Sequence, residues 1–250
     1  MPRWSTPRSS TPRWSTSPTS RERRASRLLL APARRSKPRR SALSAPPATS
    51  PRARAARVVV LASGAGSLLR SLVEAAAAPD FPADVVGVVV DRECPAESVI
   101  GATRVRPCDH ADRAEWDHAI TAAVAQFDPD YVVSAGFMRI LGPHFLARFG
   151  GRVLNTHPAL LPSFPGACAV RDALAAGVRV SGTTVHLVDE GVDTGPILAQ
   201  EAVPVLVSDD ESSLHERIKI VERRLLIDVV AAVAARGVII DGRKALIPSD

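Results

Sequence analysis

Apolar and polar positions settle into a readable pattern from residue 57 onward. Residues 57–62 form a short, continuous apolar run, the pattern of a parallel strand buried on both faces. Ser63-Gly64-Ala65-Gly66-Ser67 interrupts it, and 68–73 resumes with helical spacing. A second buried strand is predicted at 84–90. A helix at 114–126 puts Trp116, Ile120 and Val124 on one face. Residues 131–136 read as a third strand, 143–149 as a short helix and 151–156 as a fourth strand. After a helix at 170–176, the strands 183–188 and 197–205 are joined by an acidic, Gly-bounded loop, which predicts an antiparallel pair. Asp209-Asp210-Glu211 then opens a long helix through Ala235, with acid at the end its dipole prefers. Residues 91–111 give no clear period, and 94–109 is short for a helix plus a strand. Strands alternating with helices, then a hairpin, predict an α/β fold with a mixed, mostly parallel sheet.

Charge changes the picture of the first 55 residues. They hold 14 of the 32 Lys and Arg but one of the 26 Asp and Glu, a net of +13, and repeat Pro-Arg-Trp-Ser-Thr at 2–6 and 12–16. Such a segment cannot bury enough apolar surface to offset its ordering entropy, so 1–55 is expected to be a disordered Arg/Ser/Pro-rich extension. A transit peptide, a polyanion-binding arm and a translation start placed too far upstream all fit it. A start near Val58 would need a non-Met codon, because Met1 and Met138 are the methionines of the chain. The rest keeps 18 basic against 25 acidic residues, a net of −7. That acidic body argues against a domain built to bind nucleic acid. Cys94, Cys108 and Cys168 have no CxxC spacing, which points away from a disulfide framework or zinc site and toward a reducing, cytoplasmic setting. No apolar run is long enough for a membrane span.

Two stretches carry candidate chemistry. In Asn155-Thr156-His157-Pro158-Ala159-Leu160-Leu161-Pro162, the prolines forbid a continuing ladder, so Asn155 and His157 sit where a strand opens into a rigid loop. Two residues apart, their side chains share one side. A carboxamide donor beside an imidazole is what a reaction through an oxyanion needs; a turn-capping Asn and a packed His satisfy the same pattern. The Gly loop after the first strand points free amides at an anion on a helix N-terminus. It lacks the Gly-Lys-Ser/Thr end of a P-loop, and Leu69 stands where a dinucleotide fingerprint needs a third glycine, so one phosphate fits better than two. A tight turn with no ligand fits it as well.

Taken together, Ser63-Gly64-x-Gly66-Ser67, the 135–141 run Ala-Gly-Phe-Met-Arg-Ile-Leu, Asn155-x-His157-Pro158-x-Leu160-Leu161-Pro162 and Asp189-x-Gly191-x-Asp193-x-Gly195-Pro196 resemble the phosphoribosylglycinamide formyltransferases, or glycinamide ribonucleotide transformylases, over residues 57–245. The resemblance implies a Rossmann-like formyltransferase domain over 56–250. It implies transfer of a formyl group from 10-formyltetrahydrofolate to the amine of glycinamide ribonucleotide, without a metal, in purine (IMP) biosynthesis. By resemblance, Asn155 donates to the oxyanion, His157 donates and moves the proton, and Asp193 holds His157 and favours its imidazolium form. The phosphate would rest on the amides of Gly66, Ser67 and Leu68, and the ribose near Glu222 and Lys219. The folate would lie against Met138, Arg139, Ile140 and Leu141 and the loop Asp189, Glu190, Gly191, Val192 and Asp193, with Arg113 toward its glutamate end. A homodimer is compatible with it. The sequence departs from the family pattern at Ala65 and Leu68, where Asn is common, and at Cys168, where many relatives have His. Formyltetrahydrofolate deformylase and methionyl-tRNA formyltransferase share the formyl-folate half. A polyanion-binding protein working through the basic tail is the reading from another class; it predicts binding that collapses with salt.

Overall fold

The apolar run at 57–62 forms the central strand β1 (Ala56–Ala62) of a computed structural model that describes residues 54–249. Apart from Arg54 and Ala55, the expected extension 1–55 lies outside the described residues. Successive side chains of β1 enter two different cores, as strand geometry requires. Val58, Val60 and Ala62 pack with Leu69, Leu72, Leu226 and Val230. Val59 and Leu61 pack with Trp116, Ile120, Val124 and Phe145.

Among the described residues, nine strands form one sheet in the order β3-β2-β1-β4-β5-β6-β7-β9-β8. These are β2 (Ala83–Val90), β3 (Thr103–Arg104), β4 (Tyr131–Ser134), β5 (Val153–His157), β6 (Val180–Leu187), β7 (Ile197–Pro204), β8 (Ile239–Asp241) and β9 (Lys244–Leu246). Strands β1 to β5 run parallel; β6 opposes β5, and β7 opposes β6 as the loop between them predicts. Helices α1 (Ser67–Ala76) and α5 (Glu211–Arg236) cover one face, and α2 (Arg113–Ala125) and α3 (Pro143–Phe149) the other. The short helix α4 (Ala169–Ala175) packs Val170 against Leu214 and Ile218. The chain leaves β1 toward β2 and returns to β4 on the other side, so the order reverses between β1 and β4. That is where an open α/β sheet leaves a crevice at its carboxyl edge.

The structure corrects several boundaries. Strand β6 starts three residues earlier than its sequence suggests, at Val180. Residues 91–111 hold two single 3-10 turns (Pro95–Ser98 and Pro107–Asp109) and the two-residue β3. Asp210, rather than the acidic trio, caps α5: its carboxylate accepts from the Ser213 amide at 2.8 Å, and its own amide donates to Ser213 Oγ at 3.0 Å. Asp209 is instead taken by Arg217 at 2.7 Å, which holds its carboxyl well below the usual carboxylate range. Asp241-Gly242, with Gly242 at φ 60, turns the hairpin β8–β9, which the sequence analysis does not predict.

Helix α3 borrows its cap from α2. Asp117 is buried and accepts from the Gly142 amide at 3.1 Å and the His144 amide at 2.8 Å. Gly142 is required there, since a Cβ would lie 2.3 Å from Asp117 Oδ2. Asp117→Ala strands two amides in a dry site and is expected to cost about 2 kcal/mol, with Asp117→Asn recovering part of it. Urea unfolding of the three proteins measures this; an Ala variant within about 0.5 kcal/mol of the parent would show that water replaces the cap.

Candidate active site

Strand β5 ends at His157, and Pro158 stops the ladder there. Its register sets out the site: Val153, like Phe145, belongs to the α2/α3 core, and Leu154 to the opposite core. Asn155 and His157 therefore share the α2/α3 side, as their spacing predicts. His157 is nearly closed to solvent, and both ring nitrogens face oxygen. Nδ1 lies 3.3 Å from Asp193 Oδ2, and Nε2 lies 2.8 Å from the Phe164 carbonyl. Nε2–H can donate to the carbonyl, while Nδ1 faces the carboxylate. The two groups that grip it, Asp193 (φ 54) and Phe164 (φ 55), both sit in the left-handed region. Asp tolerates that conformation and Phe rarely adopts it, so backbone strain is concentrated around this imidazole.

A fourth residue joins the group, and the sequence reading missed it. His186 stands directly opposite Asn155 across the β5–β6 ladder. Its Nδ1 lies 2.9 Å from the Leu187 carbonyl, and its Nε2 lies 3.2 Å from Asn155 Nδ2 and 3.6 Å from Asp193 Oδ1. With Nδ1–H on the carbonyl, the neutral ring's Nε2 accepts from the Asn155 amide, and only the protonated ring turns an Nε2–H toward Asp193. The bond to Asn155 fixes which way the carboxamide points and leaves its second N–H for another acceptor. The only signal in the sequence is register: His186 is buried in an apolar strand, and its partner comes from another element. Burial pushes the Asp193 carboxyl up, but the His186 imidazole, the Gly166 amide at 2.8 Å and the His157 charge outweigh it, so it titrates below its ordinary value.

The loop carrying Asp193 is shaped by its own side chains. Asp189 Oδ1 accepts from Thr194 Oγ1 at 2.6 Å and from the Gly191 amide at 3.1 Å. Glu190, Gly191 and Val192 stay exposed at its tip.

The Gly loop lies at the β1 side of the crevice. Gly66 caps α1 at φ 73, and no side chain caps that helix. The amides of Ser67 and Leu68 open its first turn. The loop is backed by the segment that had no readable period: the Ala96 amide donates to the Gly64 carbonyl at 3.1 Å, and a Cβ on Gly66 would come within 2.8 Å of Ala96 Cα. The loop after β4 is only partly exposed. Met138 and Ile140 are about two-thirds exposed, whereas Leu141 is buried with the α2/α3 core. The apolar run 136–141 is therefore exposed only in part, because Leu141 leads straight into α3 and packs beneath it. Arg139 is tied by Nε to Asp91 at 2.7 Å. Arg113 lies 4.4 Å over the ring of Trp116, which stacks in parallel with Phe137.

On the opposite face, Glu222 occupies the core-facing stripe of α5 at four-residue spacing with Leu214, Ile218 and Leu226. An acid in such a stripe is itself a sequence signal. Its carboxyl is pushed up by burial, against the hydrogen bond from Thr156 and the charges of Lys219 and Arg223. Lys219 pairs with Glu216 at 2.8 Å rather than with Glu222. Among the described residues, no group of three or more His, Cys, Asp or Glu is arranged as a metal site, and no helix is long and apolar enough to cross a membrane.

Comparison with known proteins identifies the family. A family model described as formyl transferase matches residues 56–230. The phosphoribosylglycinamide formyltransferase of Mycobacterium tuberculosis is 65% identical over 195 residues, covering 76% of this chain and 90% of that one. The crystal structure of glycinamide ribonucleotide transformylase 1 from Symbiobacterium toebii superposes with a TM-score of 0.77 at 35% identity, over 79% of this chain and 96% of that one. A formyltetrahydrofolate deformylase from Pseudomonas syringae pv. tomato is more distant, with a TM-score of 0.73 at 27% identity over 79% of this chain and 67% of that one. With the Gly loop and the Asn155–His157 pair at the carboxyl ends of parallel strands and Asp193 against His157, the chain belongs to the formyl transferase family, among the phosphoribosylglycinamide formyltransferases.

Proposed function

We propose that this protein transfers the formyl group of 10-formyltetrahydrofolate to the amine of 5-phosphoribosylglycinamide, giving formylglycinamide ribonucleotide and tetrahydrofolate, as a step of purine biosynthesis. The observation that carries the reading is the buried His157, held between Asp193 and the Phe164 carbonyl two residues from Asn155. The substrate nitrogen attacks the formyl carbon, a C–N bond forms and the carbonyl oxygen becomes an oxyanion. The free N–H of Asn155 and a ring N–H of His157 stabilise that charge, the latter by turning from its resting acceptor. The bond from the formyl carbon to folate N10 then breaks, and the proton lost by the amine ends on N10 by way of His157. Asp193 stabilises the imidazolium, and His186 orients the carboxamide.

The amides of Gly66, Ser67 and Leu68 suit the substrate phosphate, and Glu222 with Lys219 suits the ribose hydroxyls. The folate fits the exposed Met138 and Ile140, with Arg139, Leu141 backbone groups, Arg113 and the 189–193 loop around it. An apolar wall flanked by guanidiniums matches a flat ring system with an acidic tail. Unpaired cysteines support a cytoplasmic setting.

The test is tetrahydrofolate formation by the full-length protein, followed with and without the ribonucleotide. Turnover that requires the ribonucleotide is the expected result. Equal turnover without it would reassign the protein to folate deformylation.

A further inference from the structure

Asp91 stands just past β2 with its side chain fully buried, and three loops converge on its carboxylate. Arg92 donates from Nη2 to Oδ2 at 2.9 Å and from Nε to Oδ1 at 3.2 Å. Arg139, from the loop after β4, donates from Nε to Oδ2 at 2.7 Å. Ser63, from the Gly loop, bonds the same carboxylate while its Oγ accepts from the Met138 amide at 2.9 Å. Burial pushes the Asp91 carboxyl up, yet Arg92, Arg139 and Ser63 together bring it below its ordinary value. One fixed negative charge thus faces two guanidiniums at the β1/β4 crevice.

Arg139 commits only one of its nitrogens to this contact. Among the described residues, its two Nη groups make no hydrogen bond, and its side chain is 39% exposed beside Met138 and Ile140. A guanidinium gripped at Nε keeps its outer edge free in a fixed plane, the geometry that receives a carboxylate with two parallel N–H bonds. An ammonium drawn to the same acid would have no second nitrogen to offer.

We infer that Asp91 is a positioning residue for substrate binding: it pins Arg139 so that the outer edge of the guanidinium receives an anionic group, the acid tail of the folate. This rests on the folate-facing reading of Arg139 given above. The bare alternative is a staple that only holds three loops together, and the two differ in what they do to kinetics.

Asp91→Asn keeps the side-chain shape and removes the charge. In the full-length protein with both substrates varied, it is expected to raise KM for 10-formyltetrahydrofolate about tenfold, leaving kcat and KM for the ribonucleotide within about twofold. Arg139→Ala should raise the same KM at least as much, and adding Asp91→Asn to Arg139→Ala should raise it no further. Additive effects in the double variant, or a rise in ribonucleotide KM instead, overturn the inference. If Arg139→Ala alone leaves folate KM unchanged, the folate-facing reading falls and the inference falls with it; additivity sinks the inference alone. Should Asp91→Asn not fold, Arg139→Lys decides the matter. It is expected to match Arg139→Ala, and a lysine enzyme with the parental folate KM would overturn the pinning role.

Discussion

His157→Ala is expected to lower kcat for formyl transfer by about 10²–10⁴, the usual contribution of a positioned acid–base group. In the proposed reaction this ring both donates toward the reacting oxygen and carries a proton between two nitrogens of the substrates. Nothing nearby substitutes for it. His186 has Nδ1 on the Leu187 carbonyl and Nε2 on Asn155, so its ring is already committed. KM for either substrate should move only a few-fold, because the lost interactions belong to the transition state. Initial rates under saturating folate and ribonucleotide measure it. A kcat within tenfold of the parent would remove His157 from the chemistry.

Asp193→Asn is expected to cost about 10²–10⁴ in kcat as well, because an amide at this position can no longer stabilise the imidazolium and can turn the wrong atom toward it. This substitution carries a second signature that His157→Ala does not. The folded state holds the Asp193 carboxyl below its ordinary value of 3.8. Its contribution to stability is therefore present above that value and lost as pH falls through the lower, folded one. The parent should be the more stable protein near neutral pH. The gap between parent and Asn variant should close as pH drops below about 3.8. Thermal melts across that range report it, and a gap that stays constant with pH would mean that the native carboxylate gains nothing from its three partners.

Much of this site is legible in the linear chain because its chemistry sits at strand ends marked by Gly and Pro. The Gly loop, the Asn155–His157 spacing and the 189–196 loop are all local patterns; the structure sets the first two at carboxyl ends of parallel strands and brings Asp193 against His157. What escaped the sequence depends on distance along the chain. His186 reaches Asn155 across 31 residues, Asp117 reaches the His144 amide across 27, and Arg139 reaches Asp91 across 48. No period or motif encodes such pairs; they arise only when the sheet order and register are known. Residues 91–111 failed for another reason. Single 3-10 turns have no hydrophobic period to detect, although this segment backs the Gly loop. Glu222 was legible in principle, since an acid at four-residue spacing among Leu214, Ile218 and Leu226 announces a buried carboxylate.

Strand β5 presents Asn155 and His157 to one side and Thr156, the partner of Glu222, to the other. Alternation of this kind makes the strand a ratchet with a two-residue tooth. A substitution within it grades activity up or down, but deleting or inserting a single residue between Val153 and His157 turns every function over to the wrong side at once. Length variation among descendants of this gene is therefore expected at 77–82 and 126–130, the connections at the far ends of β2 and β4, where a change of length leaves the tooth unmoved.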